Sequence, residues 1–227
     1  ELGDSLVLDH ITRRSRELIA FFRSHPRAVF ELKTKTTNIG ALLDLEPPDN
    51  VVIAWSLNAY TIARSDEQGS PSVADRIEAA HRVVSKGYRV AFHFDPLIYF
   101  PGWENEYAEV GEDLLKRIPA DRIAWISLGS LRFPAALKQT ITRRFPDTDI
   151  LLAEFIRGLD GKVRYFKPLR KKLYAHLVQV LLDGGKRDIP LYLCMESKEL
   201  WRDVLKKEPE DEDEVERLLS SPSGYCQ

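Results

Sequence analysis

The sequence predicts an α/β chain, a (βα)n barrel or part of one, and three observations carry that reading. Short stretches rich in β-branched and aromatic residues alternate with segments of helical apolar spacing, the unit recurring about every 30–35 residues. The stretches are apolar on both faces, as parallel strands covered by helices are. Polar residues collect where each stretch ends, the face on which (β/α) barrels place their chemistry. A doubly wound open sheet is the alternative. No glycine-rich phosphate loop follows any stretch, which argues against it.

In chain order, SRELIAFFRSH (15–25) has Leu18, Ile19, Phe21 and Phe22 on or near one helical face. AVFEL (28–32) is a strand, followed by KTKT and a short helix through IGALLDL. VVIAWSL (51–57) is the second strand. SPSVADRIEAAHRVVSKGY then reads as a helix with Ser at its N-cap, Pro just inside, Val73, Ile77, Ala80 and Val84 on one face and Gly87 at its stop. YRVAFHF (88–94) is the third strand, WENEYAEVGEDLLKRI a helix, and RIAWISLGS (122–130) the fourth strand. PAALKQTITRRF is a helix and TDILLAEF a candidate strand. PLRKKLYAHLVQVLLDGG is a long helix, and IPLYLCM a last buried strand.

Composition bounds the rest. A hydrophobic fraction of 44% and a charged fraction of 30% are those of a soluble globular protein. No run of eighteen apolar residues is present, which excludes a spanning helix. Two cysteines, Cys194 in an apolar run and Cys226 near the end, do not make a disulfide framework and fit a reducing cytoplasm. The net charge of −2 hides an asymmetry: residues 208–216, EPEDEDEVE, carry seven acids, and without them 33 bases face 28 acids. We read 208–227 as an acidic, flexible tail and 1–207 as the folded unit. The chain starts at Glu1 and holds one methionine, Met195, so it is expected to be a piece of something longer.

The strand ends carry the candidate chemistry: Glu31, Lys33 and Lys35 on the first, Ser56 and Asn58 on the second, His93 and Asp95 on the third, and Ser127 and Arg132 on the fourth. His93 and Asp95 stand two apart in FHFDP and so share a face. With Glu31 they are a candidate divalent-metal set, as in a metal-dependent isomerase or hydrolase. Either one alone is a candidate acid or base. Lys33 and Lys35 suit a ligand carboxylate or phosphate, with Ser56 and Asn58 hydrogen-bonding beside them. Ser56 and Ser127 lack a nucleophile elbow. KVRYFKPLRKKLY (162–174) interleaves six bases with Tyr165, Phe166 and Tyr174, the composition of a nucleic-acid contact, which a non-catalytic binding module would also show.

Read together, ELGDSLVLDH, ELKTKT, AWSLN, GSPSVADRIEAAHRVVSKGYRVAFHFDPL, GWENEY and WISLGSLRF resemble the spore photoproduct lyase family of radical S-adenosylmethionine enzymes, up to about Glu196. The resemblance implies a partial (βα)6 TIM-like barrel whose N-terminal strands are missing from this chain. It implies S-adenosylmethionine as cofactor and, in the full-length protein, a [4Fe–4S] cluster on a CxxxCxxC loop. Those cysteines are absent here, so no metal ligand falls in this chain, and the piece alone is expected to be inactive. Lys35, Ser56 and Asn58 match positions that contact S-adenosylmethionine. Asp95 falls where the family lines the cofactor pocket, although the lyases tend to carry a small residue there. His93, Tyr99 and Arg132 are the candidates for the substrate side. Arg164, Lys167, Arg170 and Lys171 are the candidates for gripping DNA or another nucleic acid, and an electron donor for the cluster is a further implied partner. Aligning the shared Asp9–His10 pair puts Leu2 where the lyases carry a hydrogen-donor cysteine. Leucine cannot donate a hydrogen atom, so a substrate other than a thymine photoproduct is expected.

Overall fold

The computed structural model describes residues 3–158, 160–183 and 188–207. After α1 (Asp9–Thr12) and α2 (Arg14–Arg23), β1 (Phe30–Thr34) opens the alternation α3 (Gly40–Leu43), β2 (Val51–Ser56), α4 (Tyr60–Asp66), α5 (Val73–Lys86), β3 (Arg89–Leu97), α6 (Trp103–Arg117) and β4 (Ile123–Ser130). An excursion of β5 (Arg132–Pro134), α7 (Leu137–Arg144), β6 (Phe155–Arg157) and β7 (Lys162–Tyr165) follows. The chain then returns through α8 (Lys167–Leu182), β8 (Leu191–Leu193) and α9 (Lys198–Leu205). Strands β1, β2, β3, β4 and β8 form one sheet in that order, every neighbouring pair parallel. Strands β5, β7 and β6 form a separate antiparallel sheet.

The two faces of the parallel sheet decide between the architectures the sequence leaves open. On the outer face Leu32, Ile53, Trp55, Phe92 and Ile126 join Ile77 of α5, Val110 of α6 and Leu177 of α8 in one core. On the inner face Val52, Ala54, Ala91, Ala124 and Trp125 form their own small cluster, with Val29 and Tyr192 against it and no helix residue in it. A doubly wound sheet packs helices on both faces; a barrel packs them on one and turns small or polar residues inward. The chain is of the second kind.

Helix α5 shows how local chemistry sets an element. Ser72, and not Ser70, is its N-cap: the Ser72 hydroxyl accepts from Asp75 N at 3.1 Å and donates to the Asp75 carboxylate at 2.6 Å. That reciprocal pair satisfies a free N–H of the first turn. Pro71 therefore precedes the cap instead of lying inside it. Gly87 ends the helix at φ 117°, a conformation strained for any side chain. In α2 the predicted apolar face is only partly used: Ile19 is buried, Phe22 stacks on Phe30 at 4.1 Å, and Leu18 and Phe21 stay exposed.

Two expectations change. The first strand runs 30–34 instead of 28–32. TDILLAEF (148–155) is not a strand: a turn at Ile150–Leu151 interrupts it, the backbone stays irregular to Glu154, and only its last residue, Phe155, enters β6. Strand β6 pairs with β7 as a hairpin closed by an Asp160–Gly161 turn, with Gly161 at φ 76°. Asp-Gly between short apolar runs is a hairpin signal, and the longer apolar run upstream masked it. The acidic stretch 208–227 lies outside the described residues.

Candidate active site

Residues paired across a parallel ladder share a face, so the inward positions fall into rows. Lys33, Ala54, Ala91 and Trp125 form one row. Ser56, His93, Ser127 and Tyr192 form the next, nearer the C-terminal ends. Asp95, Gly129 and Cys194 follow where the strands finish. A floor of alanines thus rises into a polar mouth.

In the mouth, His93 Nε2 lies 2.6 Å from Glu31 Oε1, the two side chains meeting across β2. His93 is buried while Glu31 keeps part of its carboxylate in water. On the other side, Asp95 leans over Gly129. A Cβ at 129 would lie 2.5 Å from the Asp95 carboxyl carbon, so only glycine leaves room for it. The carboxylate thereby reaches Cys194 on the far side of β4. Burial pushes the Cys194 thiol up to about 12, and the Asp95 charge and hydrogen bond add to that, against Arg132 and Lys33. The thiol is therefore neutral at physiological pH.

A second constellation stands on the β1–β2 rim. Lys35 Nζ donates to Glu67 Oε1 at 2.7 Å, and Glu67 Oε2 lies 2.6 Å from Arg76 Nη2. Arg76 is completely buried and donates to the carbonyls of Ser56 and Pro71, both at 3.0 Å. Burial alone would raise the Glu67 carboxyl, but the Lys35 hydrogen bond and the Arg76 charge outweigh it and hold it below the ordinary value. Lys35 and Ser56 are thus joined through one carboxylate and one guanidinium. Asn58 is buried, and its Oδ1 accepts from Ala59 N at 3.0 Å and from the Tyr107 hydroxyl at 2.7 Å. Its carbonyl is fully engaged, which leaves the amide N–H groups as its offer to a ligand.

Buried tyrosines hold the loops above the strands. The Tyr107, Tyr165 and Tyr174 hydroxyls accept from the backbone N–H of Ile98 (2.8 Å), Tyr99 (3.1 Å) and Ser130 (2.7 Å). The ELGD segment is tied in as well. The Asp4 carboxylate accepts from Thr34 Oγ1 at 2.6 Å, Lys35 N at 2.7 Å, and Leu6 N and Val7 N at 2.9 Å. That clamp lays the segment across the end of β1; Leu2 itself lies outside the described residues.

The structure divides the sequence-derived candidates. Lys35, Ser56 and Asn58 sit on the β1–β2 rim; His93 and Asp95 line the mouth. Tyr99 is exposed on the loop after β3, and Arg132 opens β5 with a buried Nη1 that has no hydrogen-bond partner. The metal set of Glu31, His93 and Asp95 does not assemble. Glu31 and His93 bond to each other while Asp95 turns to Cys194, and among the described residues no three His, Cys, Asp or Glu could hold one ion. The basic segment is distributed over ion pairs: Arg164 with Asp160, Lys167 with Glu199, Arg170 with Glu196, and Lys171 with Asp203. Of these, Arg170–Glu196 is buried and also receives the Tyr174 hydroxyl at 2.7 Å.

Sequence reasoning missed Asp4, Glu67, Arg76 and Gly129. Arg76 left a signal, because it falls on the apolar face of α5 beside Val73 and Ile77, where a charge must find a partner. Gly129 left one in the glycine inside a strand, which marks close approach of another group.

The comparisons point to one family. The spore photoproduct lyase family model matches residues 2–177. Spore photoproduct lyase of Clostridium acetobutylicum is 25% identical over 169 residues, 73% of this chain and 47% of that protein. The Bacillus subtilis protein of that name is 28% identical over 185 residues, 80% of this chain and 54% of that protein. Two solved structures share the fold: a spore photoproduct lyase complexed with dinucleoside spore photoproduct, at 23% identity and TM-score 0.73 over 84% of this chain and 58% of that one, and a mutant form with bound AdoMet and dinucleoside spore photoproduct, at 23% and 0.72 over 84% and 57%. The chain spans about half the length of the curated relatives it matches.

Proposed function

The chain belongs to the spore photoproduct lyase family, and on that premise we propose that it forms the S-adenosylmethionine- and substrate-facing half of a radical enzyme acting on a DNA photoproduct or a related lesion. The observation that carries the reading is the mouth itself, where side chains from four successive strand ends converge above an apolar floor. The unpartnered, buried Arg132 Nη1 and Trp125 Nε1 fit a polar ligand that brings its own acceptors. When bound and reductively cleaved, S-adenosylmethionine supplies a 5′-deoxyadenosyl radical. The chain's own part is positioning: Asn58 offers N–H donors, Lys35 and Ser56 are fixed by Glu67 and Arg76, and Asp95 presents a carboxylate. His93, Tyr99 and Arg132 face the substrate. A [4Fe–4S] cluster does not fit these residues. Two cysteines are too few, and Cys194 is held neutral beside Asp95. The cluster's thiolates, and the electron donor that serves them, come from outside this sequence.

Leu2 stands where a hydrogen-donor cysteine is expected, so the substrate differs from a thymine photoproduct repaired through a thiol at that position. The absence of a long apolar helix among the described residues is in keeping with action in the cytoplasm. The test is anaerobic reconstitution of the full-length protein, followed by reduction with S-adenosylmethionine present. Formation of 5′-deoxyadenosine is expected, and its absence from a protein with an assembled cluster would sink the reading. Dinucleoside spore photoproduct added to the same assay reports whether that lesion is turned over.

A further inference from the structure

We infer that Cys194, at the end of β8, gives its thiol hydrogen atom to a carbon-centred radical held in the mouth. The inference rests on the reading above, because it needs a radical to form there. A donor in this place must meet three conditions. Its bond to hydrogen must be weaker than the C–H bond it makes, it must still carry the hydrogen at working pH, and it must stand beside the ligand. Serine O–H, carboxyl O–H and the N–H bonds of histidine, lysine and arginine are too strong. Around the mouth that leaves the Cys194 thiol and two phenols, Tyr192 on the inward row and Tyr99 on the loop above it. Leu2 meets none of the conditions.

Packing turns the thiol inward. Leu191 and Leu193 join the outer core and Tyr192 packs on the inner cluster, so the next alternate position, 194, faces the mouth. Cys194 N donates to the Leu128 carbonyl at 2.8 Å, which carries the ladder one residue past the end of β8. The thiol is half-buried and bonds to the Asp95 carboxylate, which the bare backbone of Gly129 admits. Burial first, and the Asp95 charge after it, keep the sulfur protonated. A thiolate would have no hydrogen atom to give. A separate observation puts a ligand next to it. Arg132 Nη1 is buried with no acceptor, and its charge reaches the thiol. Trp125, 5% exposed on the inward face, also leaves its Nε1 without an acceptor. Buried donors of this kind mark the place of a polar group that the chain itself does not supply. The step balances: the S–H bond breaks homolytically, a C–H bond forms on the substrate carbon, and Cys194 is left as a thiyl radical. One electron from the reductant that serves the cluster and one proton from water restore the thiol.

The experiment uses the reconstituted full-length protein in D2O with dithionite and S-adenosylmethionine alone, so that no substrate has to be known. The thiol then carries deuterium, and a 5′-deoxyadenosyl radical with no substrate before it is expected to take that atom. Mass spectrometry should find deuterium in the 5′-deoxyadenosine formed. Cys194→Ser keeps a hydroxyl toward Asp95 but has too strong a bond to donate, and it is expected to lose the label. Tyr192→Phe and Tyr99→Phe are expected to keep it. With a nitrone spin trap added, the adduct is expected on the Cys194 peptide. Label that survives Cys194→Ser, label lost instead in either tyrosine variant, or an adduct only on other peptides each overturns the assignment. Unlabelled 5′-deoxyadenosine from the wild type sinks the donor and leaves the radical reading standing. No 5′-deoxyadenosine at all sinks both.

Discussion

Phe92 and His93 are neighbours in sequence on β3 and face opposite sides of the sheet. Phe92 is sealed among helix side chains in the large core; His93 sits on the inner face, bonded to Glu31 at the edge of water. The outer face is continuous, aliphatic and aromatic, and its stability is the sum of many contacts. The inner face is small at its floor and charged at its mouth, and each polar group there depends on one or two named partners. The comparison teaches that the fold's strength and its chemistry are carried on opposite sides of the same strands. Damage to one side is expected to register differently from damage to the other.

The largest effect is expected from Phe92→Ala, which opens a cavity in the outer core and should cost about 3–5 kcal/mol in urea unfolding. Removing Glu67 should come next. Glu67→Ala leaves the guanidinium of fully buried Arg76 without its carboxylate, and a cost of about 3 kcal/mol is expected, since breaking one partner of a buried pair is the expensive case. That pair also sets a pH dependence. The folded-state pKa of Glu67 lies below its ordinary 4.5, so its contribution is complete above that value and drains away as pH falls below it. The acid limb of the stability profile should flatten in Glu67→Ala. An unchanged limb would show that the ion pair does not carry it.

Gly129→Ala sharpens the contrast, because it probes the mouth without touching the outer core. The new methyl displaces the Asp95 carboxylate at an expected cost of about 1–2 kcal/mol. With the Asp95 charge and hydrogen bond moved away, the Cys194 thiol should titrate lower and alkylate faster at pH 8, measured on its own peptide by mass spectrometry. The smallest effect is expected for His93→Gln. Glu31 keeps access to water when its partner goes, so a loss of about 1 kcal/mol is expected. A loss matching that of Phe92→Ala would erase the distinction between the faces.

Much of this was legible in the sequence. Alternation of apolar strands with amphipathic helices gives the architecture, because period and burial are local properties. Polar strand ends give the mouth, because a side chain's position along a strand is also local. What the sequence hid were partners. Lys35 reads as a free cation until Glu67 is found beside it, and Lys167 and Lys171 read as a basic patch until α9 brings Glu199 and Asp203 against them. Pairing of that kind depends on how distant elements pack, which no window of residues reports. The β6–β7 hairpin failed for another reason: its strands are short and half polar, so turn chemistry was the only signal and apolar content outweighed it.

The contact between Asp95 and the bare backbone of Gly129 has a consequence for how this mouth could have changed through descent. A side chain gained at 129 pushes the carboxylate out of that space, so a smaller residue at 95 makes the gain cheap and Asp95 makes it cost about 1–2 kcal/mol. The two orders of change therefore differ in the stability of their intermediate. Two positions on different strands are thus coupled, and a change at either is read by the other.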